Sequence, residues 1–102
     1  MTDKPFPKAL QELLDEKEWS NRELSRRCQE ESPTGWGTSI TINRLVNGEY
    51  KPPMSAIEII AGVFRIKPDY FAEYRLGLAR AQLDPEEVGL RVALKNLERF
   101  DR

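Results

Sequence analysis

The stretch TSITINRLVNGEYKPP, residues 38–53, constrains the chain more than any other, because its punctuation specifies both ends of one short helix. Thr38 or Ser39 supplies a side-chain oxygen for an orphan N–H of the first turn. Ile42, Leu45 and Val46 follow at i, i+3 and i+4, so they share one face. Asn47-Gly48 ends the element, since glycine takes the left-handed conformation at a helix C-terminus cheaply. The opposite face carries Ser39, Thr41, Asn43 and Arg44. It lacks the glutamate/lysine pairs of a solvated face and offers small donors, small acceptors and one guanidinium. Those groups suit base edges in a DNA major groove. The expectation is a recognition helix at about 39–47.

The flanking segments are helical as well, and no strand pattern or internal repeat interrupts them. Residues 1–5 are expected to form a frayed arm from which Lys4 reaches a phosphate or solvent. A first helix runs from about Pro7 to Lys17, with Phe6, Leu10, Leu13 and Leu14 as its apolar stripe and Trp19 plugging the core after it. Ser20-Asn21-Arg22-Glu23 fits a capping box, with Ser20 as N-cap and Glu23 reaching back to its N–H. Leu24 and Cys28 face inward from that second helix, while Arg22, Arg26 and Arg27 face out. Gln29 to Gly37 is a loop broken by Pro33, Gly35 and Gly37. Its Trp36 either packs back onto the domain, which saves apolar area, or lies beside a DNA backbone.

Pro52-Pro53 leads into a fourth helix ending near Phe64, whose core stripe is Met54, Ile57, Ile60, Ala61 and Phe64. Ile59 and Val63 lie off that stripe and need another cover. Pro68 opens a fifth helix towards Leu83, with Tyr70, Phe71, Tyr74 and Leu78 apolar and Gly77 weakening it. Asp84-Pro85-Glu86-Glu87 starts a sixth, with Leu90, Ala93, Leu94, Leu97 and Phe100 as its stripe.

Composition narrows the functional classes. The chain has 102 residues, one cysteine and no histidine, which removes most nucleophile, general-base and zinc constellations and argues against an enzyme. Gly35-x-Gly37 is too little for a phosphate loop, and no cofactor is implied. The lone Cys28 excludes an internal disulfide framework and is expected to be a small buried hydrophobe. The Met-Thr-Asp-Lys-Pro start carries no targeting signal and no apolar run reaches membrane-spanning length, so the expected location is the cytoplasm, on the nucleoid. A formal net charge of −1 opposes nucleic-acid binding, but Arg22, Arg26, Arg27, Arg44 and Lys51 are expected to cluster near the 39–47 helix, and a dimer doubles that charge.

The order of Ser20–Ser25, then Thr41-Ile42-Asn43-Arg44-Leu45-Val46-Asn47-Gly48, then Pro52-Pro53 and the Ile57–Phe71 stretch, resembles the Cro/C1-type helix-turn-helix family, the XRE family of bacterial and phage regulators. The resemblance covers roughly residues 7–72. Phe64 to Phe71, reading FRIKPDYF, is similar to a mycobacterial subgroup of secretion regulators with a C-terminal dimerisation region. The resemblance implies an all-α fold: a five-helix lambda-repressor-like domain over 1–72 and a C-terminal helical extension over 73–102. It implies a homodimeric, sequence-specific transcriptional regulator bound to double-stranded DNA. Carried over by position, Ser39, Ile40, Thr41, Asn43 and Arg44 would face bases, with Arg44 on guanine and Asn43 on adenine. Ile40 would touch a thymine methyl or pack in the core. Asn21, Arg22, Thr38, Asn47, Tyr50 and Lys51 would hold phosphates.

Two departures stand out: the turn between helices two and three is several residues longer than the family's, and Arg65 occupies a position where many members carry glycine. Leu90, Leu94, Leu97 and Phe100 are the expected dimer interface, unless the sixth helix folds back on its own domain. No residue pattern specifies a small-molecule effector. The alternatives to a specific regulator are a nucleoid-type DNA binder and a helical protein-interaction module.

Overall fold

Helix α1 spans Phe6–Lys17 and places Phe6, Ala9, Leu10, Leu13 and Leu14 on one buried face. In the computed structural model, which describes residues 1–83, it is followed by α2 (Asn21–Glu31), α3 (Ser39–Asn47), α4 (Met54–Phe64), a 3₁₀ turn (Pro68–Tyr70) and α5 (Ala72–Leu83). No strand occurs among the described residues. The expected sixth helix, with Leu90, Leu94, Leu97 and Phe100, lies outside them.

The core forms where α1 to α4 converge. Leu10, Leu14, Leu24, Cys28, Ile42, Leu45, Ile57 and Ile60 are all inaccessible to solvent or nearly so. Phe6 and Phe71 close one end, their ring centroids 4.8 Å apart and tilted. Trp19 stacks on Phe64 at the other, with centroids 5.2 Å apart. Such aromatic pairs add roughly 0.5–1.5 kcal/mol beyond area burial. Ile59 and Val63 are partly covered by packing against this same core.

Two expectations change in this part of the chain. Pro68 does not open a continuous fifth helix: Phe71 is extended (φ −86°, ψ 132°) between the 3₁₀ turn and α5. That break accompanies complete burial of its ring against Phe6. Leu78 is not a core residue either. It is 43% exposed, and Leu76, two positions before it, is 64% exposed.

The N-terminal arm is not frayed. Arg75 donates to the carbonyls of Asp69 (2.8 Å), Tyr70 (3.0 Å) and Thr2 (2.8 Å). The Thr2 N–H returns a bond to the Tyr70 carbonyl at 3.0 Å. Glu73 accepts from the Phe6 N–H at 2.7 Å, and Lys4 is paired with Glu12. The first turn of α5 thus fastens the start of the chain.

Helices α1, α3 and α4 end with one device. Glu18, Gly48 and Arg65 each take the left-handed conformation, and the next N–H reaches back five residues: Trp19 to Leu14, Glu49 to Arg44, Ile66 to Ala61. Only Gly48 does so without a side-chain penalty. Arg65→Gly is therefore expected to raise stability by up to about 1.5 kcal/mol. That is the left-handed penalty of roughly 1–2 kcal/mol less the roughly 0.4–1 kcal/mol of added unfolded-chain entropy. A urea midpoint that falls instead would show that the Arg65 side chain makes a larger contribution than its backbone strain removes.

Candidate nucleic-acid interface

The connection between α2 and α3 is long, yet it is clamped. Gly37 has φ +111° and lies so close to α2 that an added Cβ would meet Cys28 Cβ at 2.6 Å. The buried Ser25 hydroxyl donates to the Gly37 carbonyl at 2.5 Å, and Gln29 Nε2 approaches the same oxygen at 3.5 Å. Pro33, Thr34 and Gly35 are exposed, while Ser32 is buried and Gly37 presses the chain against α2. Thr38 then caps α3, its Oγ1 accepting from the Thr41 N–H at 3.4 Å.

Cys28 beneath this contact is fully buried. Burial, and then the charge of Glu31, pushes its thiol up to about 12 from an ordinary value of 9.0. The folded protein holds the proton that the unfolded chain releases first. This contribution to stability is therefore intact below about pH 9 and is lost as pH rises towards 12. The thiol should also resist a thiol reagent at about pH 8 in the native protein and react freely in denaturant. Native-state labelling at the denatured rate would place Cys28 outside the core.

Ile42 and Leu45 bury one side of α3, and the other side is open. Ser39, Ile40, Asn43, Arg44 and Asn47 are exposed. Ile40 is 65% exposed, which excludes the core position left open for it. Asn43 Oδ1 accepts from Asn21 Nδ2 at 3.0 Å, linking the first turn of α2 to the middle of α3. The Asn43 amide nitrogen and the second lone pair of its oxygen are left over for an adenine edge. Thr41 is half-buried, and its hydroxyl lies 3.1 Å from that of Thr38. It belongs to the edge of the face.

Beside that edge lies a shallow cleft of about 190 Å³ lined by Trp36, Thr41, Arg44 and Tyr50. Trp36 is the residue whose place the sequence left open. It packs against the core and also walls this cleft. Its flanking glycines, Gly35 and Gly37, were the only local sign of so fixed a position.

The basic cluster is smaller than expected. Arg26 is paired with Glu23 and Glu30. Arg27 is paired with Glu23 at 2.8 Å and lies over the Trp19 ring, 4.1 Å from its centroid. Arg27 faces α4, lining a separate cavity with Glu30, Glu31, Gly62, Val63 and Arg65. Glu23 does not complete the capping box: its backbone N–H donates to Ser20 Oγ, but its carboxylate goes to the two arginines. The Arg26 hydrogen bond, opposed by desolvation and helped by Arg27, holds that carboxyl below its usual range. Arg22, Arg44 and Lys51 remain exposed and join none of the ion pairs among the described residues. Lys51 leans towards α5, where it lines a cavity of about 290 Å³ with Pro52, Met54, Leu76 and Arg80.

The structure thus brings Ser39, Ile40, Asn43, Arg44 and Asn47 onto one open surface, with Thr38, Thr41 and Tyr50 at its margin. Asn21 adjoins it through Asn43. No helix among the described residues is long and apolar enough to cross a membrane. The chain matches no family model, no curated protein and no solved structure. The chemistry of the α3 surface therefore carries the functional conclusion alone.

Proposed function

We propose that this protein is a sequence-specific regulator of transcription that binds double-stranded DNA as a homodimer, with α2 and α3 as a helix-turn-helix of the lambda-repressor type. Helix α3 enters the major groove. The observation that carries this is the composition of the open α3 face: serine, isoleucine, two asparagines and an arginine, with no carboxylate among them. A face evolved only for solvation would mix acids and bases. This one holds the donors, acceptors and apolar group that distinguish base pairs.

Supporting contacts follow from position. Arg22 in the first turn of α2 and Tyr50 and Lys51 just after α3 are exposed and serve as phosphate ligands, setting register without reading sequence. Among the described residues only Arg22, Arg44 and Lys51 of the expected cluster are outside ion pairs, which makes weak binding by one copy. Two copies reading half-sites one helical turn apart double the phosphate contacts. The exposed Leu76 and Leu78 of α5 supply apolar surface for association of the C-terminal parts.

Arg44→Ala is expected to weaken binding to a preferred duplex by about 1–3 kcal/mol and to relax its base preference. Lys51→Ala should weaken all duplexes alike and lower the salt slope by about 0.9 per phosphate lost. Fluorescence anisotropy on labelled duplexes at several salt concentrations separates the two patterns. If neither variant changes binding, α3 is not the DNA-facing element. The pairing of Arg26 and Arg27 with carboxylates also favours a second reading, a helical protein-interaction module; that protein would not respond on DNA to Arg44→Ala.

A further inference from the structure

Ile40 is the anomaly of the α3 surface. It is a large aliphatic side chain, 65% exposed, among polar neighbours. Covering it would gain roughly 25 cal/mol per Å² of apolar area. Arg44 lies one turn further along the same helix, so the two side chains stand side by side, with Cβ atoms about 5–6 Å apart. Arg44 is exposed and joins none of the ion pairs among the described residues. Arg44 also lines the cleft with Trp36, Thr41 and Tyr50.

Resting on the DNA-binding proposal above, we propose that Ile40 and Arg44 act as one reader of a two-base step: a pyrimidine bearing a C5-methyl group and the guanine next to it on the same strand. Arginine pairs with guanine O6 and N7, and an aliphatic group covers a pyrimidine methyl, both in the major groove. Successive bases on one strand are about 3.4 Å apart along the axis, within reach of two side chains one helical turn apart. The methyl group then fills the space between the Ile40 side chain and the Arg44 stem. Thymine and 5-methylcytosine present the same methyl, so the step joins guanine to thymine or to methylated cytosine. Ile40 is 65% exposed and lies outside the core cluster, so its replacement leaves the fold intact.

The test uses the full chain and a random duplex library made in three forms: with thymidine, with deoxyuridine in place of every thymidine, and with thymidine plus methylated CpG steps. The expected result is enrichment of a motif containing guanine next to thymine or to methylated cytosine. Loss of the methyl should cost that motif about 4-fold in affinity, the equivalent of one buried methyl group. Ile40→Ala should bind methylated and unmethylated forms alike, at the affinity of the unmethylated form. The form bound tighter by the wild type, thymine or 5-methylcytosine, identifies the source of the methyl group. A motif enriched equally from all three libraries would overturn this inference and leave DNA reading by α3 standing. Failure to retain any library would overturn the DNA-binding proposal itself.

Discussion

Gly37→Ala is expected to lower folding stability by about 3 kcal/mol or more and to push α3 away from α2. Two effects add. A φ of +111° is a region that residues with a Cβ rarely enter, at roughly 1–3 kcal/mol. The new methyl group would also lie 2.6 Å from Cys28 Cβ, an atom fixed to the α2 backbone rather than the end of a flexible chain. Relieving such overpacking typically costs about 1–3 kcal/mol. Gly35→Ala is the matched control. Its φ is +72° and nothing lies within 4 Å of its added Cβ, so only the left-handed penalty applies. Urea unfolding of the two variants separates conformation from contact. Equal losses would mean that the Gly37–Cys28 approach does not position α3.

Arg75→Ala should release the N-terminal arm and cost about 2–3 kcal/mol. Three carbonyl oxygens, of Thr2, Asp69 and Tyr70, lose a charged donor. Hydrogen bonds to charged groups contribute about 1.5–3 kcal/mol when buried, and the Arg75 side chain is partly exposed. The ion pair with Asp3 adds little, because the Asp3 side chain is fully in solvent. Arg75→Lys should recover only part of the loss, since an ammonium cannot span acceptors on two segments as a planar guanidinium does. Amide exchange at residues 2–6 is the local reading. Protection there that survives Arg75→Ala would show that the Glu73 contact to the Phe6 N–H holds the arm unaided.

What could be read in the sequence was what local chemistry decides. Ser20, Thr38 and Gly48 mark helix ends because their effects act within one turn. The stripes of α1, α2 and α3 were legible because burial imposes a 3.6-residue period. The arm was missed because its fastening joins residues 73 positions apart, and nothing near Thr2 foretells Arg75. Glu23 had three candidate partners, the Ser20 N–H and two arginines, and spacing alone did not reveal that the guanidiniums would win. The ends of α1 at Lys17 and of α4 at Phe64 were legible from where the apolar stripes stop, but their left-handed caps at Glu18 and Arg65 carry no glycine to mark them.

At the candidate site, the polar face of α3 followed from periodicity. The Trp36 wall and the Gly37 clamp did not, because both depend on how closely the turn returns to α2. The basic cluster was overestimated for a related reason. Charges counted along a chain ignore that Arg26 and Arg27 already have carboxylates one turn away.

The most direct test of the central claim is an in-vitro selection of random duplex DNA on the purified protein and on its Arg44→Ala variant, at two salt concentrations. The α3-reading proposal predicts a two-fold symmetric motif with half-sites about one helical turn apart for the wild type, and loss of its guanine preference in the variant. Salt-sensitive retention with no motif would contradict sequence-specific reading and leave a non-specific backbone binder. No retention at either salt would contradict DNA binding by α3 altogether.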